Sequence, residues 1–434
     1  MAIYFGTDGI RGVANVQITP DLATRCGNAL AQMGAKKVLL GRDTRRSGDM
    51  LACGLGAGLC SGGCTVIDVG VLPTPAVAYL TKKYGCDFGI VISASHNPPE
   101  YNGIKIFSSQ GAKLCDQKEQ VLESLMATNS LVSSENIGRY VHCDGMADYC
   151  SFLCECANAS LRGLKVALDC SNGATGKSAK RVFEKLGAKV FAFFNNNGGN
   201  DINCGCGSTN PQTLSQKVVE LGCNVGFCFD GDGDRVLAVD ENGTVVDGDK
   251  ILYILAKDMA SKGQLKDNGV VGTFHTNMGI EQELNKLGIT LFRSDVGDKY
   301  VSNLMRLKGL SLGGEQSGHI VVGDFLGTGD GTLVALLLCK LVQTQKLSKL
   351  AKADLFEQVN CDVVVKDKMH VINSDSLWQE IKKQTACFDG RVMVRASGTE
   401  PKIRVLAESK NKYLSTQVAQ SIAQVIRGID ECVE

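Results

Sequence analysis

Short apolar runs alternate with amphipathic stretches in three successive parts of this chain of 434 residues. Short runs rich in β-branched residues predict buried strands, whereas apolar positions that repeat about every 3.6 residues predict helices. A strand–helix–strand pattern of this kind indicates α/β units with mostly parallel pairing. The predicted elements lie at residues 37–41, from about 47, and 64–69; at 164–170, 177–186 and 189–194; and at 270–274, 279–287 and 289–292.

The pattern changes after about residue 361. Three apolar runs predict strands and two amphipathic stretches predict helices, which together indicate a small α+β domain. The strands are expected at 362–365, 390–395 and 403–408, and the helices at 374–384 and 415–428. We therefore predict four domains, at residues 1–150, 151–248, 249–360 and 361–434.

Composition argues against several classes of function. The 46 Lys and Arg residues balance 46 Asp and Glu residues, and this neutrality argues against a nucleic-acid-binding protein. No stretch approaches the ~18 consecutive apolar residues that a membrane span requires, and the first residues do not read as a secretory leader. We expect a cytoplasmic protein with no membrane or nucleic-acid partner, present as a monomer or a homodimer.

The nineteen cysteines raise the alternatives of a disulfide scaffold and a zinc site. An odd count without a signal peptide argues against the scaffold. The closely spaced pairs Cys154/Cys156 and Cys204/Cys206 lack the spaced, histidine-containing partner pair that is typical of zinc sites. Cysteines within apolar runs, such as Cys170, are instead expected to pack as small core residues.

Three aspartates alternate with glycines directly after a buried apolar run. Alternate side chains of an extended loop point to the same side, so the carboxylates of Asp230, Asp232 and Asp234 are expected to converge on one hard cation, for which Mg²⁺ is suited. An EF-hand is the sharpest alternative, with Glu241 as its twelfth residue, but Arg235 stands where that loop needs glycine. A merely solvated acidic turn is the other alternative.

A second polar loop, SASHNPP at residues 93–99, follows the predicted strand at 88–92. It offers the hydroxyls of Ser93 and Ser95, which composition does not distinguish, and the imidazole of His96. A Ser–His hydrolase is disfavoured because neighbouring side chains of an extended loop diverge and no Gly-x-Ser-x-Gly elbow is present. A hydroxyl that takes a phosphoryl group needs a nearby divalent metal and cations; the alternative is a polar turn.

Two further loops suggest phosphate binding. A Ser-Gly-Thr run between Arg395 and Arg404 offers hydroxyls, backbone N–H groups and bidentate charge, which suits a phosphate cradle; a polar turn between strands is the alternative. Residues 171–178 are similar to a Walker A loop, but Ser171 stands at its first glycine position, which argues against an NTPase.

Five loops in this order resemble those of the α-D-phosphohexomutase superfamily, and the resemblance extends over nearly the whole chain. They are GTDGIRG at residues 6–12, SASHNP at 93–98, DGDGDR at 230–235, GEQSGH at 314–319 and RASGTEPKIR at 395–404. The resemblance implies three related α/β domains with mixed sheets plus a smaller C-terminal α+β domain, in a heart-shaped molecule around a central cleft.

The resemblance also implies roles for particular residues. Ser95 would carry the phosphoryl group, and the metal ligands would be Ser95, Asp230, Asp232 and Asp234. Arg11 and Lys105 would line the transfer site, where Lys105 or His319 would exchange the proton of the sugar hydroxyl. The substrate's hydroxyls and its other phosphate would be bound by Glu315, Gln316, Ser317, Arg395, Ser397, Gly398, Thr399 and Arg404.

The wording of residues 314–319 and 296–298 is similar to the branch of the superfamily that acts on glucosamine phosphates. The implied reaction is an isomerisation of glucosamine 6-phosphate to glucosamine 1-phosphate through a phosphoserine enzyme and a 1,6-bisphosphate intermediate, with Mg²⁺ as cofactor. The product would serve amino-sugar metabolism, towards UDP-N-acetylglucosamine. The alternatives are the same chemistry on glucose or mannose phosphates and a non-catalytic sugar-phosphate-binding protein.

Overall fold

The structure, a computed structural model, describes residues 4–6, 8–128, 131–397 and 400–431. The chain forms two compact units. The first reaches from the N-terminal part of the chain to Thr276 and includes Leu284–Lys352, whereas the second combines Asn277–Glu283 with the segment from Ala353 onward. No helix within the described ranges is both long enough and apolar enough to cross a membrane.

The first unit begins with a seven-stranded mixed sheet. Its strands are β1 (Phe5–Gly6), β2 (Gly9–Val13), β3 (Lys37–Arg42), β4 (Thr65–Val71), β5 (Phe88–Ile92), β6 (Tyr101–Ser108) and β7 (Tyr140–His142). Their spatial order is β1-β2-β6-β5-β3-β4-β7, antiparallel from β1 to β5 and parallel from β5 to β7. The helices of this region are α1 (Pro20–Gln32), α2 (Gly48–Ser61), α3 (Thr74–Lys83) and α4 (Asp116–Ala127).

Burial in this sheet follows the sequence pattern. All five residues of β5 are buried, as expected for a parallel strand with a continuous apolar sequence. The helices α1 and α2 pack closely against each other, and this needs glycine because a Cβ at Gly58 would lie 2.0 Å from the carbonyl oxygen of Thr24. The buried strand β5 ends at Ile92, and the polar loop that contains Ser95 follows it directly.

A five-stranded mixed sheet follows along the chain. Its elements are α5 (Met146–Ala157), β8 (Lys165–Asp169), α6 (Thr175–Lys185), β9 (Lys189–Phe193), α7 (Gln212–Glu220), β10 (Val225–Phe229), β11 (Val236–Val239) and β12 (Val245–Val246). The order is β12-β11-β10-β8-β9, with β10, β8 and β9 parallel. The fully buried β10 delivers the acidic loop at its carboxyl end.

A four-stranded mixed sheet, in the order β14-β13-β15-β16, comes next. Its elements are α8 (Gly248–Ser261), a 3₁₀ turn (Lys266–Asn268), β13 (Gly269–Thr273), α9 (Met278–Lys286), β14 (Thr290–Ser294), α10 (Asp298–Lys308), β15 (Leu312–Gly314), β16 (Ile320–Val322), α11 (Gly331–Val342) and α12 (Leu347–Leu350). The pair β15 and β16 is antiparallel and forms a hairpin whose turn carries the residues 315–319.

The second unit contains a three-stranded antiparallel sheet in the order β17-β19-β18. Its elements are β17 (Glu357–Val364), α13 (Lys368–Ile372), α14 (Asp375–Thr385), β18 (Gly390–Ala396), β19 (Lys402–Ser409) and α15 (Lys412–Glu431). Apolar residues of α15 pack on the sheet, among them Ile422 and Ile426 against Ile403 and Val405.

The predicted α/β fold with mixed sheets is confirmed, and the predicted strand–helix–strand segments are present with parallel strand pairs. Element ends differ from the predicted ones by up to five residues. The largest difference is at β17, which begins at Glu357 because it pairs with β19 through polar residues that an apolar pattern does not reveal. The four domain boundaries remain a prediction.

Candidate active site

The loops that follow β5 and β10 meet within the first unit. The hydroxyl of Ser95 donates a hydrogen bond of 2.6 Å to Oδ2 of Asp230. Both residues are almost completely buried, although 135 positions separate them along the chain. The structure thus places the predicted phosphoryl carrier directly against the first of the three predicted metal-binding aspartates.

Ser95 has a left-handed backbone, with φ of 51°. The expectation that the side chains of Ser95 and His96 diverge is therefore wrong, because it assumed an extended loop; His96 Nδ1 lies 3.4 Å from Ser95 Oγ. The same nitrogen lies 3.1 Å from Nη1 of Arg235. Burial and the positive charges of Arg235 and Arg11 lower the pKa of His96 to about 4, so the ring is neutral and accepts from Arg235.

The structure distinguishes the two serines of this loop. Ser93 Oγ donates to Oδ2 of Asp43 at 2.6 Å and accepts from the backbone N–H of Ser95 at 2.9 Å. Its hydroxyl is occupied in holding the loop, whereas that of Ser95 faces the acidic loop.

The three aspartates converge as predicted, and their ligand atoms lie within 4.8 Å of one another. Their backbone forms a turn with Gly233 at φ of 73°, whereas an extended loop was expected. Burial and the neighbouring charges of Asp234 and Asp232 raise the pKa of Asp230 well above its usual value. In addition, Oδ1 of Asp232 and Oδ1 of Asp234 are buried with no hydrogen-bond partner among the described residues. Such clustered, unsatisfied carboxylate oxygens suit a hard divalent cation.

The EF-hand alternative does not fit the position of Glu241. Its carboxylate accepts from the hydroxyl of Ser348 at 2.6 Å, and it is absent from the groups of three or more clustered ligands in the described chain. Those groups are Asp230 with Asp232 and Asp234, and Asp234 with Asp298 and His319. Neither contains a cysteine, and all the cysteines within the described ranges are free.

Lys105 provides the positive charge beside the acidic loop. Its Nζ lies 2.8 Å from Asp232 Oδ2, 3.0 Å from Asp234 Oδ2 and 3.1 Å from Asp8 Oδ2, and the side chain is 2% exposed. It projects from β6, where it pairs with Val91 of β5. Burial alone lowers the pKa of Lys105, but the carboxylates outweigh it and raise that pKa well above the usual value.

Arg11 belongs to a charge network that extends from this site. Asp8 forms ion pairs with Arg11, Lys105 and Lys113, and Lys113 also pairs with Asp298. Burial raises the pKa of Asp8, but the three cations outweigh it and hold that pKa well below its usual value. Arg11 Nη1 also lies 3.5 Å from the side-chain oxygen of Asn97 in the Ser95 loop.

His319 and Glu315 lie on the turn between β15 and β16. The ring of His319 is buried, with Nδ1 3.7 Å from Asp234 Oδ1 and Nε2 accepting from the backbone N–H of Gly329 at 3.2 Å. Burial lowers the pKa of His319, but the adjacent carboxylates reverse this and raise it. Glu315 accepts from the backbone N–H of Gly297 at 3.0 Å, and burial raises its pKa.

The same turn contains the other two predicted sugar-binding residues. The carbonyl of Gln316 accepts from the backbone N–H of Gly248 at 3.0 Å, and Ser317 is exposed. Gly318 has φ of 93° and its carbonyl accepts from Val236, the residue that begins β11 after the acidic loop. The turn is therefore fixed to the segment that carries the three predicted metal-binding aspartates.

The second unit contains the predicted phosphate cradle. Arg395 and Arg404 lie directly opposite each other in the β18–β19 ladder, so their side chains share one face. Like charges in this arrangement repel unless an anion or a carboxylate intervenes, and Glu400 pairs with Arg404 at 2.9 Å. Ser397 is buried at the end of β18, and the predicted residues Gly398 and Thr399 lie outside the described residues.

Sequence reasoning missed several residues of the site. Asp8 and Arg235 stand inside the loops that carry the resemblance, and Asp298 ends the segment 296–298, so these motifs were the available signal, whereas Lys113 belongs to no motif. Thr74, whose hydroxyl donates to Asp232 Oδ2 at 2.5 Å, lies 158 positions from its partner and gave no sequence signal. In contrast, Lys177 of the Walker-like loop is exposed at the start of α6.

Comparisons with known proteins cover the whole described architecture. Four family models match in order: phosphoglucomutase/phosphomannomutase alpha/beta/alpha domain I at residues 2–133, domain II at 147–243, domain III at 247–357 and the C-terminal domain at 359–425. Among solved structures, a phosphoglucomutase/phosphomannomutase family protein from Burkholderia thailandensis matches with a TM-score of 0.84 and 24% identity, over 99% of this chain and 98% of that one.

Curated relatives match at higher identity. A phosphoglucosamine mutase from Desulforudis audaxviator is 43% identical over 99% of both chains. Another from Caldanaerobacter subterraneus is 45% identical over 98% of this chain and 99% of the relative. With four domain models in order and relatives of this similarity over nearly their full length, the chain belongs to the phosphoglucomutase/phosphomannomutase family.

Proposed function

We propose that this protein is an isomerase that interconverts glucosamine 6-phosphate and glucosamine 1-phosphate through a phosphorylated Ser95. The observation that carries the proposal is the hydrogen bond of 2.6 Å between Ser95 Oγ and Asp230 inside a buried cluster of three carboxylates. The curated relatives that are 42–45% identical over nearly the full chain are named phosphoglucosamine mutases, which supports this sugar.

Asp230, Asp232 and Asp234, together with a phosphate on Ser95, would hold Mg²⁺. The fit rests on the unsatisfied oxygens of Asp232 and Asp234 and on the raised pKa of Asp230. When bound, Mg²⁺ would supply charge neutralisation for the transferring phosphoryl group. Lys105 and Arg11 add positive charge at the same place, because both lie in ion pairs that reach the acidic loop or Asp8.

The reaction consists of two opposite phosphoryl transfers. In the first, the P–O bond to Ser95 breaks as a new P–O bond forms to the C1 hydroxyl of glucosamine 6-phosphate. The proton of that hydroxyl passes to His319, whose imidazole lies beside Asp234, and returns to O6 in the second transfer. Lys105, which the carboxylates keep as an ammonium, instead stabilises the charge of the transferring group. The resulting 1,6-bisphosphate reorients, its 6-phosphoryl group returns to Ser95 Oγ, and glucosamine 1-phosphate leaves. Exclusion of water protects the phosphoserine, and the 1% exposure of Ser95 suits this requirement.

Substrate binding is assigned to two loops. Glu315, Gln316 and Ser317 would bind the sugar hydroxyls, since their turn lies beside the acidic loop. Arg395, Arg404, Ser397, Gly398 and Thr399 would bind the phosphate that is not being transferred. The same phosphate-binding loop then serves both orientations of the bisphosphate, because each of its two phosphates presents equivalent oxygens to the arginines.

Coupled assays with glucosamine, glucose and mannose phosphates test the substrate, and a preference for glucose or mannose phosphate contradicts the proposal.

The mass of the intact protein tests whether Ser95 carries the phosphoryl group. A fraction about 80 Da heavier is expected after treatment with a sugar 1,6-bisphosphate, and Ser95→Ala should lose both this fraction and the activity. The matched control is Ser124→Ala on the exposed part of α4, which should keep both. Full activity of Ser95→Ala would leave only a non-covalent role for the site.

A further inference from the structure

One buried guanidinium holds the backbone of residues 95–101, which we name the nucleophile loop. The side chain of Arg45 has no exposed surface, and its Nε donates to Oδ2 of Asp43 at 2.9 Å. Its two terminal nitrogens donate to four carbonyl oxygens of the loop, those of Ser95 (2.9 Å), Asn97 (2.8 Å), Pro98 and Tyr101 (2.9 Å). Five donors thus find five acceptors, which is the full capacity of an arginine.

Two further contacts hold the loop from its other sides. Asp43 also accepts from Ser93 Oγ, which in turn accepts from the N–H of Ser95. From the five-stranded sheet's side of the first unit, the side-chain amide of Asn203 donates to the carbonyls of Ser95 at 2.8 Å and Asn97 at 3.0 Å. The peptide group after Ser95 is therefore bonded by two independent side chains.

The hydrogen bonds from Arg45 and Asn203, which we call the clamp, matter because the backbone conformation that they hold at Ser95 is unfavourable. Residues other than glycine rarely adopt the φ of 51° seen at Ser95, and such a conformation persists only where its surroundings impose it. A return to negative φ would change the direction of the Ser95 side chain, which now meets Asp230 at 2.6 Å. Phosphoryl transfer is sensitive to such placement, since it depends mainly on positioning and electrostatics.

We propose that Arg45, with Asn203, is a positioning residue that fixes the left-handed backbone at Ser95 and so aims its oxygen at the metal-binding carboxylates. The catalytic part of this inference rests on the proposed function, whereas the structural part does not. Lysine cannot replace Arg45, because one ammonium with three donors cannot span four carbonyls and a carboxylate.

Arg45→Lys is the first test, and Arg42→Lys is its matched control. Arg42 ends β3, three residues before Arg45, and is largely buried. It pairs with Asp68 at 2.9 Å and Asp49 at 2.8 Å, yet no hydrogen bond joins it to the nucleophile loop among the described contacts. Both variants should lose thermal stability. Arg45→Lys should reduce kcat by about 100-fold with KM changed by less than about threefold, and Arg42→Lys should keep kcat within about twofold.

Asn203→Gly provides a second test if Arg45→Lys does not fold. Asn203 has φ of 61°, so glycine suits its backbone while removing the two donated hydrogen bonds. The control is Asn158→Gly at the end of α5, where an asparagine with φ of 38° lies outside the loop. We expect kcat to fall about tenfold in Asn203→Gly and to stay unchanged in the control.

Hydrogen–deuterium exchange gives a readout that does not require the proposed reaction. The N–H groups of residues 95–97, 100 and 101 should exchange about tenfold faster or more in Arg45→Lys and in Asn203→Gly, but not in the controls. Unchanged exchange, or faster exchange with unchanged kcat, would overturn the positioning role. A wild-type protein that does not convert glucosamine phosphates would contradict the proposed function instead, and the exchange comparison would still judge the clamp.

Discussion

Two features of this site are not visible in the local sequence: which of two serines faces Asp230, and the backbone conformation of that serine. Ser93 and Ser95 are equivalent by composition, but only Ser95 Oγ meets Asp230, because Ser93 is bonded to Asp43. The left-handed backbone at Ser95 was likewise not predictable, since its causes lie at Arg45 and at positions more than a hundred residues away.

Thr74 contacts Asp232, one of the proposed metal ligands, and we expect it to act through that aspartate. Its hydroxyl donates to Asp232 Oδ2 at 2.5 Å and its N–H donates to the carbonyl of Asp232 at 2.8 Å. Partners of this kind orient metal ligands, and their loss typically lowers metal affinity by about 10–100-fold. We therefore expect Thr74→Val to weaken Mg²⁺ binding by about tenfold or more, measured by isothermal titration calorimetry.

The control for this experiment is Thr81→Val in the same helix. The hydroxyl of Thr81 is also buried but donates to the carbonyl of Val77 within α3. Its variant should bind Mg²⁺ as the wild type does. Equal affinities for Thr74→Val and Thr81→Val would show that the Thr74 contact does not orient Asp232.

At the scale of elements, the apolar pattern predicts the strands and helices of the three strand–helix–strand segments to within about two residues, because burial determines both. It predicts β5 at its observed bounds, and the apolar run before the acidic loop forms β10; each of these buried strands carries a candidate functional loop at its carboxyl end. Pairing that does not depend on burial is harder to predict, as the polar start of β17 shows. The convergence of the acidic loop was predicted, but its turn conformation depends on contacts with residues outside it.

The β18–β19 hairpin places Arg395 opposite Arg404, and this pairing yields a prediction for substrate affinity. Charge-assisted hydrogen bonds to phosphate contribute about 1.5–3 kcal/mol each. Arg404→Gln should therefore raise KM for glucosamine 6-phosphate by about tenfold or more. The thermal midpoint should change little, since Arg404 is partly exposed and its ion-pair partner Glu400 is exposed as well.

Steady-state kinetics and thermal unfolding check this prediction together. Lys412→Gln at the start of α15 removes an exposed cation from the same unit and should leave KM unchanged. An unaltered KM in Arg404→Gln would remove Arg404 from the phosphate grip.

Asp330 couples two helices and predicts a dependence of stability on pH. It caps α11 by accepting from the N–H of Leu333, and it accepts from the hydroxyl of the buried Tyr149 in α5, both at 2.9 Å. Burial raises the pKa of Asp330 to about 6 from 3.8. Because the folded state favours the protonated form, this group's contribution is fully present below about pH 4 and is lost as the pH rises through 6, by about 3 kcal/mol at most.

Asp330→Asn removes the titration and keeps an oxygen to cap α11. The thermal midpoint of the wild type should fall between pH 4 and pH 7 by more than that of Asp330→Asn, because only the wild type loses the contribution of the protonated carboxyl. Differential scanning calorimetry at both pH values checks this. Parallel pH profiles of the two proteins would show that Asp330 is ionised throughout this range.

At the scale of the whole molecule, the order of five loops along the chain predicted the family before any contact was known. The loops resemble the family because each matches one requirement of the proposed reaction, such as a hydroxyl, three carboxylates or a phosphate-binding loop. The contacts that join these loops to one another were not predictable. The network that joins Asp8 to Asp298 through Lys113 brings together residues 290 positions apart, and a single sequence contains no signal for such a pair.

The central claim is that Ser95 transfers its phosphoryl group to glucosamine 6-phosphate and regains one from the bisphosphate. The most direct test is a rapid-quench single turnover that starts from enzyme labelled with a radioactive phosphoryl group on Ser95. We predict that the label appears in a 1,6-bisphosphate at a rate no slower than kcat and then in free glucosamine 1-phosphate. Label that stays on the protein while unlabelled glucosamine 1-phosphate forms would contradict the claim.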